Sequence, residues 1–242
     1  MIQTSSSETK EQFVHSVFES IAPKYDMMND LLSFRRHKAW RKFTMAKMNM
    51  SPGQTALDLC CGTCDWTISM AEASGGPIVG LDFSAKMLEY GRLKVQERGL
   101  DSQITLVQGN AMELPFEDNR FDYVTIGFGL RNVPDLRQVL REMQRVVKPG
   151  GKVVCLELSK PTWQPFKGLY YFYFQNVLPM LGKLVAKRYE QYKWLPDSLV
   201  QFPGRLELAE IFRETGLARV EAYPLTGGIA ALHIGTKETQ HV

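Results

Sequence analysis

The chain has 242 residues, 44% hydrophobic and 23% charged, which is enough to bury a full α/β core and close to the averages of soluble folded proteins, so wholesale disorder is excluded. A formal net charge of +3 is too small a surplus for nucleic-acid binding, which needs a concentrated basic patch. No run of about eighteen apolar residues occurs, and the start, MIQTSSSETKEQF, lacks the apolar centre of a secretion signal. The expectation is a cytoplasmic protein, with any membrane contact peripheral and at the inner face.

The first ten residues are polar and read as frayed. From Phe13 to about Met48 the pattern is helical, with Val14, Val17, Phe18 and Ile21 at i, i+3, i+4 and i+7. Pro23 interrupts it, and a second helix is expected over 34–46. Together these form a helical cap over about 11–50. From Ser51 short apolar runs alternate with helical stretches, the mark of βαβ units and a mainly parallel sheet. Strands are expected at 55–59, 77–82, 104–108, 121–126 and 152–158, with helices in the gaps between them. Turn signals precede three of them: Ser51-Pro52-Gly53, Gly75-Gly76-Pro77 and Pro149-Gly150-Gly151.

The aromatic-rich stretch 163–202 breaks the βα rhythm and reads as an insertion over about 159–203. A helix at 205–215, stopped by Gly216, follows. Two last apolar runs, 218–224 and 229–236, are joined by Leu225-Thr226-Gly227-Gly228. That connection is far too short for a parallel crossover, so the last strand is antiparallel. No internal repeat appears, and one domain over 1–242 is expected.

The segment Ala56-Leu57-Asp58-Leu59-Cys60-Cys61-Gly62-Thr63-Cys64-Asp65 is an apolar strand that ends in small residues and opens a helix. Small residues let the backbone approach a ligand, and the helix start offers unpaired amide donors. Only Gly62 remains of a glycine-rich pattern. The four cysteines include Cys61-Gly-Thr-Cys64, which matches C-x-x-C. A zinc site would need a second ligand pair at matching spacing, so either a redox pair or small packing residues remain. Asp82 ends the second strand about 20 residues beyond the loop, where a carboxylate meets ribose hydroxyls; otherwise it caps the next helix.

Asp58-Leu-Cys-Cys-Gly-Thr, Gly80-Leu-Asp-Phe-Ser, Gly109-Asn-Ala-Met-Glu-Leu-Pro-Phe, Phe121-Asp-Tyr-Val-Thr-Ile-Gly-Phe-Gly-Leu-Arg-Asn and Lys148-Pro-Gly-Gly together resemble class I methyltransferase motifs. More narrowly, they resemble the ubiquinone/menaquinone-biosynthesis C-methyltransferase family, and the likeness runs from Ala22-Pro-Lys-Tyr-Asp-Met-Met-Asn to about Lys237. It implies a Rossmann-like, seven-stranded sheet with an antiparallel last strand, and S-adenosylmethionine as methyl donor, held by Gly62, Thr63, Asp82, Asn110 and Ala111. It also implies a polyprenyl quinol as acceptor, demethylmenaquinol becoming menaquinol. The family commonly has glycine where this chain has Cys64, so a side chain is expected to narrow the loop there.

Methyl transfer to carbon mainly requires that donor and ring carbon be held in contact. Ligands of open α/β sheets lie beyond the strands' carboxyl ends, which places Arg131 and Asn132 beside the acceptor. Tyr25, Asp26 and His37 are added from the cap. Arg131 and Tyr25 are the expected catalytic pair: the guanidinium stays protonated, so it would stabilise a phenolate rather than act as a base. The alternatives are a structural ion pair for Arg131 and a surface position for His37. The 163–202 stretch, flanked by Lys167, Lys183, Lys187 and Arg188, suits either an interfacial element that admits a lipid tail or a lid packed on the sheet. Monomer and homodimer both remain open. Competing readings are an O- or N-methyltransferase for a small soluble metabolite, a nicotinamide oxidoreductase, disfavoured by the missing G-x-G-x-x-G, and a non-catalytic binding module.

Overall fold

A computed structural model describes residues 10–161, 168 and 198–239. The aromatic stretch lies largely outside the described residues, apart from Gly168 and 198–202. The cap is three helices: α1 (Lys10–Ile21), α2 (Tyr25–Leu32) and α3 (Arg36–Met48). Pro23 was expected to break the helix until Phe34, but it sits at the start of a 3-10 turn, Ala22–Lys24, where its missing N–H costs nothing, and the helix resumes at Tyr25.

Beyond the cap come β1 (Ala56–Leu59), α4 (Asp65–Ser74), β2 (Ile78–Asp82), α5 (Ala85–Glu97), β3 (Ile104–Gln108), β4 (Phe121–Gly127), α6 (Leu136–Val146), β5 (Val147–Leu158), α7 (Arg205–Glu214), β6 (Leu217–Leu225) and β7 (Ala230–Lys237). The seven strands lie in the order β3-β2-β1-β4-β5-β7-β6. Six run in one direction, and β7 alone runs against them, pairing antiparallel with both β5 and β6. The expected α/β sheet with an antiparallel last strand is therefore present.

Two expectations need correction. The gap between β3 and β4 holds turns instead of a helix, since Gly109, Pro115 and Asp118-Asn119 interrupt any run long enough to propagate one. The fifth strand begins at Val147 instead of residue 152, because Val147 pairs with Phe121 before the chain passes the Pro149-Gly150 bend.

Both sheet faces are covered, so the strands are apolar on both sides. Val153 and Cys155 face a layer with Val139, Met143, Leu208 and Phe212 from α6 and α7. The alternating Val154 and Leu156 face the layer that holds Trp40, Met48, Trp66 and Met70 from α3 and α4. Phe202 is buried in the first of these layers, which anchors the far end of the insertion. Helix starts are capped where they border the loops that matter: Ser84 accepts from the Met87 amide at 3.1 Å, and Asp135 accepts from Arg137 and Gln138.

Candidate active site

Strand order reverses direction between β1 and β4, and a cavity opens at the carboxyl ends of these strands and of β2, where doubly wound sheets bind ligands. Its floor is Cys60 and Gly62 after β1, Asp82 and Phe83 after β2, Asn110 and Ala111 after β3, and 127–129 after β4. Its roof is the cap, through Val14, His15 and Phe18 of α1 and Tyr25 of α2. Gly62, Asp82, Asn110, Ala111 and Tyr25 are thus brought to one cavity from four separate segments.

The β1–α4 loop is tightly wound. Cys60, Gly62 and Cys64 all have positive φ, at 52°, 55° and 66°. For Cys64 this is a conformation that favours glycine, costing about 1 kcal/mol. Its side chain does not narrow the cavity, contrary to the expectation. It is fully buried against α5, where a Cβ on Gly91 would stand 2.4 Å from the Cys64 sulfur. Gly91 therefore makes the room that Cys64 fills.

Cys61 and Cys64 are free thiols with sulfurs 4.0 Å apart. The contact with Cys64, together with burial, pushes the Cys61 thiol well up, and burial does the same to Cys60. Both stay protonated and poorly nucleophilic, which favours the packing reading of these residues. Among the described residues no group of three His, Cys, Asp or Glu is placed to hold a metal ion.

Asp82 accepts from the Gly62 amide at 2.8 Å and from the Ser84 amide at 2.9 Å. Burial raises its pKa, and these amides oppose the rise. The helix cap is Ser84 itself, so the capping alternative for Asp82 does not hold. An ionised carboxylate offers about four acceptor positions, so two amides leave capacity for ribose hydroxyls. A dihydroxylated ligand suits this edge of the cavity, and the exposed Phe83 ring, edge-on to His15 at 4.7 Å between centroids, gives it an aromatic flank.

Three residues stand elsewhere than expected. Thr63 does not line the cavity: its hydroxyl donates to Asp26 at 2.6 Å and accepts from Lys94 at 3.1 Å. Arg131 lies behind the cavity wall, buried and ion-paired with Glu157 at 2.6 Å, and it donates to the Phe128 carbonyl at 2.5 Å; its Nε is buried without a hydrogen-bond partner. His37, read as an acceptor-side residue with a surface position as the alternative, is buried and does not line the cavity, with Nδ1 2.6 Å from the Ser33 hydroxyl, and burial lowers its pKa. Asn132 does line the cavity. Tyr25 meets Phe18 edge-on, and burial raises its phenol pKa while the Arg131 charge pulls the other way.

Sequence reasoning missed Phe83, His15 and Phe128 on the cavity wall. Only Phe83 carried a signal, as the residue after the strand-ending acid. It also missed Lys94, whose charge neutralises Asp26 and Asp65 at once.

The ubiE/COQ5 methyltransferase family matches residues 5–237. A demethylmenaquinone methyltransferase of Halalkalibacterium halodurans is 57% identical over 235 residues, covering 96% of each chain. One from Bacillus cereus is 59% identical over 232 residues, covering 95% of this chain and 98% of its own. Among solved structures, the putative methyltransferase in complex with the Haloferax volcanii Trm112 activator superposes with a TM-score of 0.70 at 20% identity, over 95% of this chain and 99% of that one. A possible histamine N-methyltransferase of Thermotoga maritima gives 0.67 at 17% identity, over 93% of this chain and 100% of that one; at such identities the likeness speaks for the fold. The chain belongs to the ubiE/COQ5 methyltransferase family and is an S-adenosylmethionine-dependent methyltransferase.

Proposed function

We propose that the protein methylates a ring carbon of a polyprenyl quinol, demethylmenaquinol becoming menaquinol, and that it works as one domain with the cap on the acceptor side. The observation that carries this is the cavity at the β1/β4 switch point roofed by Tyr25, in a chain 57–59% identical to demethylmenaquinone methyltransferases. S-adenosylmethionine supplies, when bound, an electrophilic sulfonium methyl. Asp82 holds its ribose, the loop around Gly62 holds the amino-acid end, and Asn110 and Ala111 lie beside the adenine.

The remaining work is to make a ring carbon nucleophilic and keep it in line. A quinol that approaches phenolate character has an electron-rich ring, whereas a quinone does not. The raised pKa of Tyr25 keeps its phenol protonated, so it acts as a hydrogen-bond donor to a quinol oxygen and not as a base. Arg131 places a permanent positive charge behind the Phe128–Asn132 wall, close enough to act on Tyr25. The roof residues Val14 and Phe18 exclude water from the reacting atoms.

The test is incubation of the purified protein with methyl-labelled donor and reduced membrane lipids, followed by identification of the labelled product. A C-methylated polyprenyl naphthoquinol is expected. Label appearing only in a small soluble amine or phenol would support the competing small-metabolite reading instead.

A further inference from the structure

Helix α1 packs against α5 and roofs the cavity. At about 100° per residue, Val17, Val14, Phe18, His15 and Glu19 follow one another around its inner arc. Val17 is buried, and Val14, His15 and Phe18 line the cavity. Glu19 stands at one edge of this roof, so what it holds decides how the helix is turned.

The Glu19 carboxylate is fixed at the first turn of α5. Its Oε1 accepts from the Ser84 hydroxyl at 2.6 Å and from the Lys86 amide at 3.2 Å. Ser84 is buried and also caps α5, its oxygen accepting from the Met87 amide at 3.1 Å, which leaves the hydroxyl proton for Glu19. The Lys86 amide is one of the donors that a helix start leaves unpaired, and the helix dipole favours a negative charge there. Burial pushes the Glu19 carboxyl up, but the Ser84 and Lys86 bonds outweigh it and hold the group below the usual carboxylate range.

This grip reaches the cavity edge through Ser84. The Ser84 amide is one of the two that Asp82 accepts, the other being that of Gly62. Phe83, between Asp82 and Ser84, meets His15 edge-on at 4.7 Å between centroids. His15 and Glu19 lie one helical turn apart, so α1 clasps Phe83 and Ser84 with two neighbouring side chains. Past Ile21 a single 3-10 turn leads to Tyr25, which is also at the cavity. The set of α1 is thereby tied to the short segment that carries the Asp82 carboxylate.

We propose that Glu19 is a positioning residue of the donor site: by holding Ser84 and Lys86 it keeps Val14 and Phe18 closed over the donor, and the demethylated product, S-adenosylhomocysteine, leaves when this grip lets go. Closure of this kind commonly governs product release. The proposal rests on the donor lying along the Asp82 edge, as proposed for its ribose.

The experiment is stopped-flow dissociation of S-adenosylhomocysteine from the full chain, without acceptor, in wild type, Glu19→Ala, Glu19→Gln and Asp82→Ala, alongside thermal unfolding. Glu19→Ala should release the ligand roughly tenfold faster or more, as losing a charge-assisted bond would. Glu19→Gln keeps an oxygen for the Ser84 hydroxyl and the Lys86 amide, so its release should stay within about threefold of wild type. The thermal midpoints of both should remain near the wild-type value, because Glu19 is only partly buried. Unchanged release in Glu19→Ala beside faster release in Asp82→Ala would overturn the proposal and keep the donor site. Unchanged release in both would overturn the two together. Faster release matched by a fallen midpoint in Glu19→Ala and Glu19→Gln alike would also overturn the proposal, since Glu19 would then only hold the fold together.

Discussion

Asp82 orders the loop through the Gly62 amide and still has acceptor capacity toward the cavity, and on the proposed reading it holds the donor's ribose. Asp82→Ala should weaken S-adenosylmethionine binding by about 1.5–3 kcal/mol for each hydroxyl bond lost, and calorimetry showing unchanged affinity would contradict that role. Arg131 needs a different design. Arg131→Gln alone strands the buried Glu157 and should cost on the order of 3–5 kcal/mol of stability. The double replacement Arg131→Met with Glu157→Leu should recover most of the stability but not the rate, and recovery of both on denaturation and turnover assays would make the pair purely structural. Two further buried groups set opposing pH dependences. Asp58 is raised from 3.8 to about 6 by burial, against the hydroxyls of Thr67 and Thr125, so the folded chain holds that proton more tightly and stability falls as pH rises from about 4 to 6. His233 is lowered from 6.5 to about 4 by burial, so stability falls as pH drops from 6.5 toward 4. Each effect is on the order of 3 kcal/mol, and over their shared window they offset one another. Denaturant titrations should find Asp58→Asn more stable than wild type at pH 7.5 and no more stable at pH 4.

Elements, rather than single residues, connect donor and acceptor sides. Lys94 on α5 bonds Asp26 of α2 and Thr63 of the loop and pairs with Asp65 of α4, which Arg41 of α3 also holds at 3.0 Å. The cap is thereby fastened to the donor loop through groups that are only partly buried. Such pairs add little to stability, so Lys94→Met should leave the unfolding midpoint nearly unchanged and raise the donor dissociation constant about tenfold, equivalent to about 1.4 kcal/mol. A fall in stability with unchanged donor affinity would show the cluster to be only structural. The elements were legible in the sequence where the hydrophobic period and turn residues agreed. Residues 104–108 form a strand with the expected bounds, and the Thr226–Gly228 turn joins two antiparallel strands. The period could not show that Pro23 starts a turn of helix as readily as it ends one. Nor could it reveal that β5 begins before a Pro-Gly bend, because that pairing is decided by a strand distant in sequence.

For the whole molecule, the strand order explains why residues as far apart as Tyr25, Gly62, Asp82, Asn110 and Asn132 meet at one cavity: each lies at the carboxyl edge of the sheet or over it. Most of this site was readable because strand-end residues are fixed by topology once the strands are known. The positions of Thr63 and Arg131 were not, since a side chain's rotamer and partner depend on Asp26, Lys94 and Glu157, which no local pattern connects to them. No helix among the described residues is long and apolar enough to cross a membrane. On the proposed function, this cavity activates a reduced ring for attack on a sulfonium methyl. Single-turnover methylation with labelled donor, comparing demethylmenaquinol with its quinone in the wild type and in Tyr25→Phe, tests it most directly. Rapid C-methylation of the quinol alone, slowed in Tyr25→Phe with donor affinity unchanged, is the result expected, and equal methylation of the quinone would contradict it.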